Sequence, residues 1–329
     1  MRNAVIHSNG IALPEKIVPN SYFDELLGAD VSTWLEEFVE IYERRWLSEG
    51  ESVADLCAGA ARMALERGGL NPEDIDLLII STDTPEFISP STASKVQFLT
   101  GMKNAAAFDL NAACSGFVTA IDTAAKYIRA DEQYNHIMVI GAYGMSRFLN
   151  PKDKKTVNLF ADAAGAFILK AEENSDRGFL ASKLLTKGEF YNYMGIFGGG
   201  SYEPASEQLL EKGDQFLQIG KRFPDGINPH TWSALAKNLS EKTGIEIKDF
   251  KQYFLTQINI NSIRETMDLL NLPHSMAQTS MHYYGYTGSA CIPLAFEDAL
   301  QAGKIQRGDN LMFIGSGGGL SFAAAAFRY

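Results

Sequence analysis

The feature that most limits what this chain can fold into is a repeat of its own pattern. A helical stretch from Ser52 to Arg67 is followed by Gly69-Leu-Asn-Pro-Glu-Asp74-Ile75 and then by the apolar run Leu77 to Ile80. A second helical stretch, Thr231 to Lys242, is followed by Gly244-Ile-Glu-Ile-Lys-Asp249-Phe250 and then by Tyr253-Phe-Leu255. In both copies the aspartate stands five residues after the glycine. Further along, Asn310-Leu-Met-Phe-Ile-Gly315 echoes His136-Ile-Met-Val-Ile-Gly141. The offset is 175 residues from Gly69 to Gly244 and 174 from Gly141 to Gly315. Two separate marks at nearly one offset imply two similar α/β halves with strand–helix alternation. The expected division is 1–172 for the first half, 173–225 for an irregular connecting segment and 226–329 for the second half. A site is expected where the halves meet, because ligands favour such junctions and strand ends.

Local patterns fill in the elements. Ala4 to Ile6 and Ile11 to Leu13 read as short strand pieces ended by Pro14. Val31 to Glu43 carries a helical stripe of Trp34, Phe38 and Ile41. Ser52 caps a helix whose apolar face is Val53, Leu56, Ala60, Met63 and Ala64. The unbroken run Leu77 to Ile80 suits a central strand covered on both faces. Ser89-Pro-Ser-Thr92 opens a short helix, His136 to Ala142 is a buried strand, and Phe160 to Leu169 is a small-residue turn feeding a strand. The triplet Gly198-Gly-Gly200 reads as a loop. A phosphate loop would need a following Lys-Ser/Thr and a helix, and neither is present.

The stretch Phe108-Asp-Leu-Asn-Ala-Ala-Cys114-Ser-Gly-Phe117 carries the chemistry. Ala105 to Leu110 reads as a short buried strand. Val118, Ile121, Ala125 and Ile128 fall at helical spacing. Cys114 then lies on the turn at the helix N-terminus, where the helix dipole and free N–H groups favour a thiolate. Ser115 and Gly116 leave room for a substrate. The other reading of Cys114 is a small buried apolar residue. The matching unit in the second half is Met281-His282-Tyr-Tyr-Gly285-Tyr286-Thr287, followed by a helix from Leu294 to Ala302. Tyr286 lies 29 residues before Gly315 and Cys114 lies 27 before Gly141, so Tyr286 is expected across a pseudo-twofold axis from Cys114. The run Gly315-Ser-Gly317-Gly318-Gly319-Leu320 lets backbone pass close to a ligand, and an N–H there can serve as an oxyanion donor. It is equally a tight turn.

Composition excludes several alternatives. A net charge of −11 argues against non-specific nucleic-acid binding. Three cysteines, Cys57, Cys114 and Cys291, without close spacing exclude a disulfide framework and a CxxC metal site, and point to a reducing compartment. No apolar run approaches about 20 residues, so no membrane span is expected, and the polar N-terminus lacks the apolar core of a signal peptide. A cytoplasmic location follows as the expectation.

Taken together, Glu43-Arg-Arg45, the Cys114 stretch, Phe160-Ala-Asp-Ala-Ala-Gly165, Tyr284-Gly-Tyr-Thr-Gly-Ser-Ala290 and Gly317-Gly-Gly319 resemble the thiolase-fold condensing enzymes, and most closely the β-ketoacyl-ACP synthase III family. The resemblance covers nearly the whole chain. It implies an α/β thiolase-like fold of two βαβαβαββ halves in a layered α-β-α-β-α arrangement, and a homodimer. It also implies an acyltransferase of fatty-acid or specialised biosynthesis that needs no cofactor and takes a CoA thioester as substrate. No metal site is implied. Partners would be acyl-CoA and acyl carrier protein (ACP). The loop around Ile88 and Ser89 would reach a partner subunit's pocket.

The family machinery is Cys, His and Asn. Carry-over assigns Cys114 as the nucleophile and Gly318 as the backbone oxyanion donor beside the N–H of Cys114. The family's His-Gln-Ala-Asn stretch aligns with Thr256-Gln257-Ile258-Asn259, so Thr256 replaces the His, while Gln257 and Asn259 match. The family's Asn falls on Tyr286. Threonine is no base near neutral pH and tyrosine has an ordinary pKa of about 10. Losing such groups lowers rates by about 10²–10⁴-fold each, which argues against ordinary decarboxylative condensation. Acylation of Cys114 needs only a thiolate and an oxyanion hole. His282, read as lying in a strand, is the candidate replacement base. Trp34 matches the tryptophan that stacks on the CoA adenine and Lys154 a basic residue that meets its phosphates. The family arginine after that tryptophan is Phe38 here. The helix after Asn259 carries Asn261, Asp268 and Leu269 where the family has basic ACP-docking residues, so carrier-protein docking is expected to be weakened or replaced. The alternative to an enzyme is a non-catalytic or half-catalytic partner subunit of a condensing-enzyme dimer.

Overall fold

The computed structural model describes residues 2–329. Its strands are β1 (Arg2–Ala12), β2 (Leu77–Ser81), β3 (Ala106–Leu110), β4 (His136–Gly144), β5 (Asp162–Glu173), β6 (Gly178–Thr186), β7 (Gln252–Leu255), β8 (Ala277–Gln278), β9 (Asn310–Gly317) and β10 (Ser321–Arg328). Short pairings join Ile17–Pro19 to Glu43–Arg45 and Met194–Gly195 to Gln218–Ile219. The main helices are α1 (Val53–Gly68), α2 (Thr92–Thr100), α3 (Gly116–Ala130), α4 (Ile227–Thr243), α5 (Ile260–Leu269) and α6 (Cys291–Gln301).

The duplication is visible in the strand order. One sheet runs β1-β5-β4-β2-β3 and the other β6-β10-β9-β7-β8. In each, the three strands at one end are parallel and the other pairings are antiparallel. Helices α3 and α6 lie between the sheets, α1 packs outside the first, and α4 and α5 pack together outside the second. This is the expected thiolase-like α-β-α-β-α layering. Phe296 of α6 spans the middle layer, with its ring 4.7 Å from Phe167 of β5 and 5.7 Å from Phe254 of β7. The aromatic contact fixes one sheet against the other beyond the area it buries.

Local chemistry explains the boundaries. At the start of α1 the Asp55 carboxylate accepts from the Ser52 backbone N–H at 3.0 Å, and Gly69, at φ +61°, ends the helix in a left-handed turn. β2 is buried along its whole length, as its unbroken apolar run requires. The four spaced residues of α3 are all buried between the sheets.

Several expectations are corrected. The two pieces at Ala4–Ile6 and Ile11–Leu13 are one strand, β1, whose pairing shifts register between Ile6 and Ser8. Ala106–Leu110 is not a buried strand: it forms the sheet edge and is only partly covered. The 173–225 segment is not irregular throughout, because Gly178–Thr186 pairs with β10 and completes the second sheet. The helical stripe of Trp34, Phe38 and Ile41 does not form. A short α turn passes into a π-helical turn at Leu35–Val39, which buries Leu35, Val39 and Ile41 and leaves Trp34 and Phe38 exposed. Among the described residues no helix is long and apolar enough to cross a membrane, and Cys57, Cys114 and Cys291 are free thiols.

Candidate active site

Cys114 sits in a 3₁₀ turn, Ala113–Ser115, that runs directly into α3. Ala113 takes a positive φ of 46°, and the Asn111 side chain holds it by accepting from its N–H at 3.0 Å. A conformation that L-residues adopt rarely is stable only where its surroundings dictate it. Here the second half supplies them. Ser289 donates to the Ala113 carbonyl at 2.8 Å, and Ser321 donates to the Ala112 carbonyl at 2.9 Å. The end of β9 presses on the same turn. A Cβ on Gly317 would stand 2.5 Å from the Cys114 nitrogen, and one on Gly315 would stand 2.8 Å from Ser115 Cα. These glycines are needed because two backbones cross there.

Cys114 is shared by two cavities. The first, of about 180 Å³, is mainly apolar and includes Phe223, Tyr286 and Gly318 in its walls. The second, of about 240 Å³, includes Asp83, Asn111, Gly318 and Gly319. A third cavity, of about 490 Å³, opens beside Trp34 and Asn259, and its walls share Asn228 and Ile258 with the first. Asn228 and Ile258 therefore stand between the outer space beside Trp34 and the cavity that reaches the Cys114 sulfur.

The expected site residues divide. Cys114, Gly318 and Tyr286 are brought together in the first cavity, and the Tyr286 hydroxyl favours the Cys114 thiolate. The Tyr286 ring is wedged against Phe160 and Tyr143, at 5.4 and 6.3 Å. Trp34 and Asn259 share the outer cavity, though the Asn259 side chain also caps α5 by accepting from the Asn261 N–H at 2.9 Å. Thr256 is buried close by but outside the cavity walls. Its hydroxyl accepts from the Ser316 N–H at 2.9 Å, which fixes β9 where the glycine run begins.

Gln257 has a structural place. Its amide donates to the Leu255 and Gln278 carbonyls at 2.8 and 3.1 Å and accepts from the Ser280 N–H at 2.9 Å, so its hydrogen-bonding atoms face protein and not ligand. His282 lies on a helical turn, Met281–Tyr284, and not in a strand. Its Nδ1 is 2.6 Å from the Glu40 carbonyl and its Nε2 is 3.0 Å from the Thr279 hydroxyl. Both ring nitrogens are engaged and His282 lines neither Cys114 cavity, so it is not placed as a base. Lys154 is exposed and lines none of the three cavities around the Cys114 route.

The electrostatics correct one further expectation. Position at a helix N-terminus favours a thiolate, yet burial is the larger influence and pushes the Cys114 thiol well above its ordinary value. The nearby Asp83 charge adds to the rise, and the Tyr286 hydroxyl opposes it. Desolvation is the largest cause because Cys114 is only 3% exposed. Asp83 and Asn228 are the functional candidates that sequence reasoning missed. Asp83 follows the C-terminal end of β2 by two residues, the edge where α/β sheets place ligand groups, and that position was available as a signal. Asn228 had none, since its relation to Cys114 depends on how α4 packs.

Comparison with known proteins agrees with this geometry. The model of 3-oxoacyl-[acyl-carrier-protein] synthase III matches residues 108–188, and that of the same enzyme's C-terminal part matches 240–329. The β-ketoacyl-[acyl-carrier-protein] synthase III of Rhizorhabdus wittichii is 35% identical over 332 residues, covering 100% of both chains. That of Aliarcobacter butzleri is 32% identical over 327 residues, covering 99% of this chain and 98% of the relative. Among solved structures, the 3-oxoacyl-[acyl-carrier-protein] synthase III of Aquifex aeolicus superposes with a TM-score of 0.88 at 28% identity, over 99% of this chain and 100% of that one. The priming β-ketosynthase of the R1128 polyketide pathway gives 0.86 at 25% identity, over 98% and 95%. The chain belongs to the 3-oxoacyl-[acyl-carrier-protein] synthase III family of thiolase-fold transferases.

Proposed function

We propose that this protein is an acyltransferase of fatty-acid or related biosynthesis that carries its acyl group on Cys114. In the first step the Cys114 sulfur attacks the thioester carbon of an acyl-CoA or acyl-ACP. An S–C bond forms, the bond to the leaving sulfur breaks, and the cysteine proton ends on the released thiol. The N–H groups of Cys114 and Gly318 receive the developing oxyanion. In the second step the acyl group passes to another substrate. The observation that carries the reading is the position of Cys114 at the meeting of two cavities, one of which shares walls with the outer space beside Trp34. A thioester threaded past Asn228 and Ile258 reaches the sulfur, and its acyl portion has a separate chamber. No resident cofactor enters this scheme, since the CoA thioester is itself a substrate.

Decarboxylation of a malonyl group is disfavoured in this proposal. It needs donors that stabilise an enolate, and at those positions the Thr256 hydroxyl is bound to Ser316 while the Tyr286 hydroxyl acts on the nucleophile itself. A carboxylate at Asp83 also repels a malonyl carboxylate brought near Cys114. On the α5 face Arg264 is paired with Glu40 at 2.7 Å, which leaves less positive charge for an acidic carrier protein.

The test is intact-mass spectrometry after incubation with acyl-CoA thioesters of graded length. A single acyl adduct that disappears in Cys114→Ala supports the proposal. No adduct at any length refutes it and leaves the partner-subunit reading standing. A malonyl-CoA decarboxylation assay on the acylated protein then decides whether condensation survives.

A further inference from the structure

We propose that Asp83 is a specificity-determining residue of the Cys114 cavity, selecting a reacting molecule that presents a hydroxyl or amino hydrogen-bond donor to its carboxyl. The inference rests on the acyl–Cys114 reading above and adds the chemical class of what reacts there. Asp83 Oδ1 is shielded from solvent and has no hydrogen-bond partner. The carboxyl lies in the wall of the second Cys114 cavity beside Asn111, with Met145, Ile196, Phe197 and Leu217 supplying apolar surface. No lysine or arginine lines that cavity. The Tyr143 hydroxyl, which feels the Asp83 charge, is likewise buried without a partner.

Buried polar atoms in native proteins are satisfied in the large majority of cases, and a carboxyl oxygen left bare is costly. A built cavity holding such an oxygen next to a nucleophile is complementary to a ligand donor. Burial pushes the Asp83 carboxyl up to about 6, so near neutral pH it is mostly ionised and acts as an acceptor. A purely hydrocarbon acyl tail would leave it unsatisfied, whereas a hydroxyl or amino group would pair with it.

The donor can arrive on the acyl chain or on the acceptor that attacks the acyl–Cys114 bond. In the second case the C–N or C–O bond forms as the C–S bond to Cys114 breaks. The acceptor's proton passes to the Asp83 carboxylate, and the departing thiolate then recovers it.

The experiment has two arms, each read as a ratio within one protein so that any change in Cys114 reactivity cancels. The first compares the rate of Cys114 acylation by unsubstituted, hydroxy-substituted and amino-substituted acyl-CoA of equal length. The second compares release of preformed acyl–Cys114 by a primary amine, an alcohol and a thiol of one carbon skeleton. Wild-type protein is expected to favour the donor-bearing probe in one arm by about ten- to a hundredfold more than a protein lacking the Asp83 carboxyl, the range of a hydrogen bond to a charged group. Asp83→Ala is expected to lower that ratio by the same factor relative to wild type, and the arm that changes identifies the carrier of the donor. Asp83→Asn repeats the comparison if the alanine variant melts early. Ratios equal in wild type and both variants, in both arms, overturn the inference while leaving the acyl–Cys114 reading intact. Failure of every thioester to acylate Cys114 removes both.

Discussion

The Tyr286 hydroxyl is the side-chain group that favours the Cys114 thiolate, and its removal has a calculable consequence. Tyr286→Phe keeps the ring against Phe160 and Tyr143 and deletes only the donor. A hydrogen bond to a charged acceptor is worth about 1.5–3 kcal/mol, and one pKa unit corresponds to about 1.4 kcal/mol, so the Cys114 thiol should rise by about 1–2 units. A more basic thiolate is also a better nucleophile, with a Brønsted coefficient of about 0.4–0.5. Thiolate scarcity outweighs that gain, and the net rate of alkylation below the thiol's pKa should fall by about three- to tenfold. The assay is iodoacetamide modification followed by intact mass between pH 7 and 9. Cys57 and Cys291 serve as internal controls, because both are fully buried and line neither of the cavities that reach Cys114. Asp83→Asn should move Cys114 in the opposite direction by removing a negative charge that disfavours the thiolate. A Tyr286→Phe protein of unchanged melting temperature that alkylates as fast as wild type would refute the reasoning.

Further outcomes follow from the same geometry. Gly317→Ala places a methyl 2.5 Å from the Cys114 nitrogen, so it should destabilise the fold by about 1–3 kcal/mol in urea titration and suppress acylation. A fully stable, normally acylated variant would contradict the close crossing of β9 and the nucleophile turn. Trp34→Ala should raise the acyl-CoA concentration for half-maximal acylation by about tenfold, the scale of one base-stacking contact; an unchanged value would remove Trp34 from the thioester route. Asp83 has a folded pKa raised from 3.8 to about 6, so the native state holds its proton more tightly than the unfolded chain. Wild type should therefore lose stability relative to Asp83→Asn as pH rises from about 4 to about 6, levelling above that with a difference on the order of 3 kcal/mol. Urea denaturation of both proteins at pH 4, 5, 6 and 7 measures this, and a pH-independent difference would mean that the carboxyl is not desolvated.

The parts legible beforehand share one property, which is that their signal is local in sequence. The capped helix α1 and the apolar strand β2 depend on neighbours a few positions apart, and the 175-residue echo repeats such short patterns. Cys114 was legible because a strand, a turn of small residues and a helix follow one another without interruption. The elements that the structure corrects depend on remote partners. Ala106–Leu110 has a strand's composition whether it lies inside a sheet or at its edge. Gly178–Thr186 shows its role only beside β10, more than a hundred residues later. Gln257 and His282 have the side chains of ligand-binding residues, and only the packed structure shows their polar atoms already occupied.

The amino-acid order alone determined that two like halves exist, that a cysteine stands at a helix start in one of them, and that a tyrosine occupies the matching place in the other. Covalent order and short-range periodicity suffice for those statements. Only the tertiary structure decided that the tyrosine shares a cavity with the sulfur, that burial raises the thiol, and that Asp83 Oδ1 stands without a partner in a cavity that also reaches Cys114. Solvation and hydrogen bonding at that site arise from segments brought together across more than 200 residues, and no local pattern encodes them.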